Sequence, residues 1–182
     1  ILITEETYSA FYSQNEINYI VGYIFLITVI IPLISILLAK FFNIIKSYDF
    51  NSPNDRIVTI TIYTFCLFIS LNIASRIPLD NYIILFLGVS SVTSLFSLLT
   101  CLIKNFKISL HMIGIGGITG LLFCLSLVSI VDFTILIFIS VLLSGLIGTA
   151  RLYLQKHNSI EVYGGYSLGF LAMFISYYFY LC

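Results

Sequence analysis

The chain has 182 residues, 60% of them apolar and 9% charged, against roughly 25% charged residues in an ordinary soluble domain, so water is excluded as its main solvent. Eight Lys and Arg balance eight Asp and Glu, and a net charge of zero removes the electrostatic case for nucleic acid, which needs a basic face. A hydrocarbon core about 30 Å thick takes roughly 20 mostly apolar residues per helical crossing, so the length allows one membrane domain, 1–182, and no second.

A polar lead-in, TEETYSAFYSQNE, precedes the first apolar run, 18–43. The chain opens at Ile1 rather than methionine, so further residues are expected before it. The loop KSYDFNSPNDR is rich in turn formers that need solvent, and it leads into a second span, 57–75. The link RIPLD turns the chain back into a third, 81–103. The polar stretch KNFKISLH comes next, then a fourth span, 112–128, a turn marked by Asp132, and a fifth span, 132–150. The loop RLYLQKHNSIE opens the sixth, 162–182, whose Tyr177, Tyr178 and Tyr180 read as an interfacial belt. Backbone groups cannot go unpaired in hydrocarbon, and the runs lack the ten-residue alternation of a barrel. The expected fold is therefore all-α, a polytopic bundle of about six transmembrane helices.

Gly116 with Gly120 and Gly165 with Gly169 have the spacing that lets two helix backbones approach closely, and both pairs read as packing surfaces. The cluster GIGGITG has no preceding strand and no following Lys-Ser/Thr, so it is not a nucleotide loop. Cys66, Cys101, Cys124 and Cys182 lie in or at the ends of apolar runs without metal-ligand spacing and read as small buried hydrophobes. Neither a metal nor a cofactor is expected. Seven of the eight Lys and Arg fall in the first, third and fifth connections. The positive-inside rule then turns those connections to the cytoplasm and Ile1 outward.

No ionisable residue lies in the middle of a span, which speaks against a proton or ion pathway. With six antiparallel crossings, the connection bearing Lys104, Lys107, Ser109 and His111 shares a face with the one bearing Arg151, Lys156, His157 and Glu161. His157 and Glu161 are four apart at the start of the last helix, so the carboxylate can reach one imidazole nitrogen, fix the tautomer and leave the other nitrogen to attack an electrophile. Arg151 offers a planar fork suited to phosphate oxygens. Ser109 and His111 precede a glycine-rich helix start whose N–H groups favour a phosphate, or else they are an N-cap serine and an interfacial histidine. Lys104 and Lys107 are cations that can assist an anion or anchor lipid headgroups.

The stretch ARLYLQKHNSIEVYGG, with Arg151, His157 and Glu161 at R-x5-H-x3-E spacing, resembles the third signature of the type 2 phosphatidic acid phosphatase family, SR-x5-H-x3-D. Ile108 to His111, ISLH, is similar to its second signature, PSGH, and the reading KISLH from Lys107 resembles a divergent branch found in Bacteroidetes bacteria. The resemblance covers about residues 100–170, and six helices agree with the family fold. It implies that His157 is a nucleophile forming a phosphohistidine, Glu161 its orienting carboxylate and His111 the acid for the leaving alcohol. It implies likewise that Arg151 and Ser109 hold the phosphoryl group of a membrane lipid phosphate, a phosphatidate or an isoprenoid phosphate or diphosphate. The first family signature, K-x6-RP, is absent, and Ala150 and Glu161 replace its Ser and Asp.

Two functions follow as expectations. One is a metal-independent lipid-phosphate phosphatase of the bacterial inner membrane, whose site the family generally turns to the periplasm, opposite to the Lys and Arg count. The other is an inactive relative that serves as a subunit or scaffold, either as a homo-oligomer or within a larger membrane complex. A small respiratory or transporter subunit fits the hydrophobicity but lacks mid-membrane charges.

Overall fold

The computed structural model describes residues 14–46, 52–76, 79–102 and 107–181, with side chains from residue 18 onward. Among these residues the chain is helical throughout its regular structure, with no strand: α1 is Gln14–Phe25, a π-helical turn is Leu26–Ile30, α2 is Ile31–Phe41, α3 is Pro53–Ala74, α4 is Asn81–Leu102, α5 is Leu110–Val128, α6 is Thr134–Tyr153 and α7 is Ser159–Leu181. Asn18–Phe41, which runs through the π turn, and α3, α4, α5 and α6 are the five helices long and apolar enough to cross a bilayer. The sixth expected span, α7, reaches 23 residues, but its five tyrosines and three glycines make it less apolar than that standard requires.

Local capping moves several boundaries from where hydropathy alone places them. Ser52 accepts from the Asp55 N–H at 3.1 Å and Pro53 fills the first turn, so α3 starts four residues before 57, inside the polar loop. Asp132 accepts from the Thr134 N–H at 2.8 Å and stays outside α6. Pro32 cannot donate back along its helix and its ring crowds the carbonyl one turn earlier; the π-helical turn directly before α2 widens the ladder at this point.

The chain forms two compact units, Asn15–Asn105 and one containing Phe106–Cys182. In the first, Tyr23 donates to the Ser70 carbonyl at 3.5 Å, tying α1 to α3. Between α3 and α4 the buried positions are largely hydroxylic: Thr64, Ser70, Ser91, Ser94, Ser97 and Thr100. Thr64 and Ser94 join across the seam at 2.7 Å, and most of the others bond carbonyls of their own helix. Phe65, Val92, Phe96, Leu99 and Leu102 point outward instead. A soluble protein sorts its residues the other way round, and this arrangement suits a surrounding solvent as apolar as the side chains themselves.

In the second unit α5 lies against α7 at backbone distance. A Cβ on Gly116 would strike the Tyr166 carbonyl, one on Gly120 the Phe170 carbonyl and one on Gly169 the Ile113 carbonyl, so the two glycine pairs are packing surfaces, as their spacing indicates. Met112, Ile115 and Val162 form the core cluster beneath the loops, with Ile147 of α6 packed on it. Tyr177 is 3% exposed, so it is buried rather than part of a belt, whereas Tyr178 and Tyr180 are exposed. Cys66 and Cys124 are buried, and Cys182 lies outside the described residues.

Candidate functional site

Two local motifs bring the site residues together at one end of the second unit. The last turn of α6 carries Arg151 and is closed by Gln155 in the left-handed region at φ 52°, with the Gln155 N–H on the Leu152 carbonyl at 3.0 Å and the Lys156 N–H on the Arg151 carbonyl at 3.2 Å. This pair of bonds is the Schellman pattern, and it turns the chain sharply after Arg151. Three residues on, Asn158 caps α7: its Oδ1 accepts from the Glu161 N–H at 2.9 Å, while Glu161 Oε2 accepts from the Asn158 N–H at 3.2 Å. This reciprocal capping box starts the helix at Ser159, so His157 lies in the connection, as expected, while Glu161 belongs to the first turn of the helix rather than to the loop.

Glu161 also binds the other connection. Its Oε1 accepts from the Lys107 N–H at 3.1 Å, and its main-chain carbonyl accepts from the Ser109 N–H at 3.2 Å. The His157 Nδ1 lies 3.1 Å from Glu161 Oε2 and 2.9 Å from the Lys107 carbonyl. Both neighbours are acceptors, so the proton of the neutral ring sits on Nδ1 and Nε2 carries the basic lone pair. The side chains of His157 and Glu161 are 7% and 6% exposed. In that surrounding a carboxylate is tolerated because several donors converge on it.

On the solvent side of the cluster, Arg151 Nη2 donates to His111 Nε2 at 2.6 Å. Arginine has no acceptor, so the His111 Nε2 must be the proton-free nitrogen and the ring is held neutral by this bond. Arg151 and His157 both act electrostatically on His111, which brings the two histidines of the chain into one field. Ser109 occupies the N-cap position of α5, but its hydroxyl makes no capping bond. It is fully buried, and among the described residues its Oγ has no hydrogen-bond partner. Its carbonyl passes 2.9 Å from where a Cβ on Gly165 would stand, so α7 needs glycine there to let the segment approach.

Of the residues singled out by sequence, His111, Arg151, His157, Glu161 and Ser109 therefore share one end of α5, α6 and α7. Lys107 enters through its main chain, donating to Glu161 and accepting from His157. Lys104 lies outside the described residues. Asn158 was missed; its signal was the N-x-x-E spacing before an apolar run. The Lys107 carbonyl left no signal at all, since a main-chain acceptor has no residue type. Chemically the cluster offers a basic imidazole nitrogen, a guanidinium, an unsatisfied hydroxyl and the first-turn N–H groups of α5, which is a set of groups suited to an oxyanion.

Comparison of the chain with protein-family models, with curated proteins and with solved structures gives no match.

Proposed function

We propose that the chain is a six-span integral membrane phosphatase of the type 2 phosphatidic acid phosphatase kind, acting on a lipid phosphate in a bacterial inner membrane. The observation that carries this reading is the fixed ring of His157: with Nδ1 held by the Lys107 carbonyl and Glu161, Nε2 is the nucleophilic atom. In the reaction, Nε2 attacks phosphorus, the bond from phosphorus to the lipid oxygen breaks, and His111 delivers a proton to the departing alcohol. Water then attacks the phosphohistidine and releases inorganic phosphate, which restores the ring. Arg151, the Ser109 hydroxyl and the N-terminus of α5 offset the charge of the transferring group. The outward-facing apolar surfaces of both units, together with the five long apolar helices, support the membrane setting.

The buried Ser109 hydroxyl, which has no hydrogen-bond partner among the described residues, also supports this reading, because a buried polar group without a partner costs about 1–3 kcal/mol and a phosphate oxygen would supply one. The role of Glu161 favours a second reading. Its carboxylate closes a capping box and ties two connections, which a non-catalytic scaffold would also need. Absence of K-x6-RP points the same way.

Purified protein in detergent, with a chelator present, is expected to release phosphate from phosphatidate or an isoprenoid phosphate, and His157→Ala is expected to abolish release. Equal, negligible release by both across such a panel would end the enzyme reading. The scaffold reading instead expects Arg151 and His157 substitutions to leave function intact and a bulky residue at Gly116 or Gly165 to disrupt assembly. Thiol labelling of Ser52→Cys and Asp132→Cys in sealed vesicles reads the sidedness, since a six-span topology puts these two loops on opposite sides.

A further inference from the structure

The bond between Arg151 and His111 has a consequence for how the site takes up an anion, and it rests on the phosphate reading given above. A guanidinium donating to Nε2 and a proton on Nε2 exclude each other, so in this structure His111 is in the wrong form to act as an acid. An anion competes for the same guanidinium, because a phosphate offers it charged oxygens and a bidentate geometry that the single neutral ring nitrogen lacks. We propose that anion binding and protonation of His111 are one coupled event: the anion draws the Arg151 fork off Nε2, and the released lone pair takes a proton from solvent.

The groups around His111 agree with this coupling. His111 itself is solvent-exposed, so a proton can reach it without passing through the bundle. From α6 it faces Arg151, which stays charged throughout, and from the connection between α6 and α7 it feels His157. From α7, Glu161 contacts His157 rather than His111. Lys107 and Lys156 are further cations on the two connections at the same end. A dianion seated beside Arg151 brings negative charge next to the ring and favours its imidazolium form. Hydrogen bonds are exchanged and a single proton enters; no covalent bond is broken in this step. The site is then loaded with its general acid only when an anion is present. Anion affinity must rise as pH falls, by at most tenfold per pH unit for one linked proton.

The test is calorimetric titration of the full chain in detergent with inorganic phosphate, in two buffers of different ionisation enthalpy. The His111→Gln variant keeps an acceptor for Arg151 but cannot take a proton, and it corrects for the protons of phosphate itself. Wild type is expected to take up close to one proton more per phosphate bound than the variant near neutral pH. Nitrogen-15 spectra of the wild-type imidazoles give a second readout should the variant not fold: one of the two rings is expected to become doubly protonated on phosphate addition. Phosphate binding with equal proton uptake in both proteins, or with both rings unchanged, would overturn the coupling and leave the phosphate site standing. Failure of phosphate to bind at all, with Arg151→Ala indistinguishable from wild type, would overturn both.

Discussion

Substituting Gly169 by Ala tests whether the backbone contact between α5 and α7 holds the site end of the second unit together. The new methyl would land on the Ile113 carbonyl, 2.8 Å from its carbon and 2.9 Å from the Gly117 nitrogen. Ordinary contacts between heavy atoms lie near 3.5–4.0 Å, and neither obstacle is a flexible side chain, so the helices must separate by roughly 1 Å. That separation also loosens Gly116 against Tyr166 and Gly120 against Phe170. A gap of this size forfeits a quarter to a half of each pair's dispersion energy. Overpacking of this kind costs about 1–3 kcal/mol, more than the roughly 0.5–1 kcal/mol that alanine gains over glycine within a helix. Gly164 is the internal control: it lies on the same helix, and a Cβ there meets nothing within 4 Å. Thermal unfolding in detergent, followed by circular dichroism, should place Gly169→Ala below wild type by a few degrees and Gly164→Ala at or slightly above it. If Gly169→Ala melts no lower than Gly164→Ala, the two helices are not in backbone contact and the geometry of the site falls with them.

Glu161→Ala leaves the Lys107 and Asn158 N–H groups and His157 Nδ1 without their carboxylate and should cost about 3 kcal/mol or more, with Glu161→Gln intermediate, in the same unfolding experiment. In the first unit, Thr64→Val removes the bond to Ser94 and should cost about 0.6 kcal/mol, up to ~1.7, whereas Ser97→Ala removes a buried hydroxyl that has no partner among the described residues and should be neutral or stabilising. Asp132, in the exposed connection before α6, has its carboxyl held below the usual range of 3.8 by its hydrogen bonds to Thr134. The contribution of this turn bond is therefore complete above pH 3.8 and is lost only as pH falls below that value, so exchange of the Thr134 amide should accelerate there in wild type but not in Asp132→Asn.

Hydropathy made the helices and connections legible because a chain in lipid must close its backbone bonds within each apolar run. It misplaced their ends wherever a polar residue was part of the helix rather than of the loop. Ser52 and Pro53 draw α3 back into a stretch that reads as solvent-exposed, and Asn158 lets α7 begin three residues before Val162. The glycine pairs were readable because close approach of backbones demands absence of a side chain. Of the site, the contact between His157 and Glu161 follows from spacing alone. The bond between Arg151 and His111 joins residues 40 apart and depends on how α5 and α6 are set, which no local pattern encodes. The second hold on His157, from the Lys107 carbonyl, is invisible for a simpler reason: every residue carries that group.

The most direct measurement is a rapid acid-free quench of wild-type protein turning over a phosphorus-labelled lipid phosphate, with the attached phosphate mapped by mass spectrometry. The account predicts phosphate on Nε2 of His157, absent in His157→Ala and increased by His157-preserving variants that slow water attack. Turnover of the lipid with no label on His157, or with label that persists in His157→Ala, would contradict it.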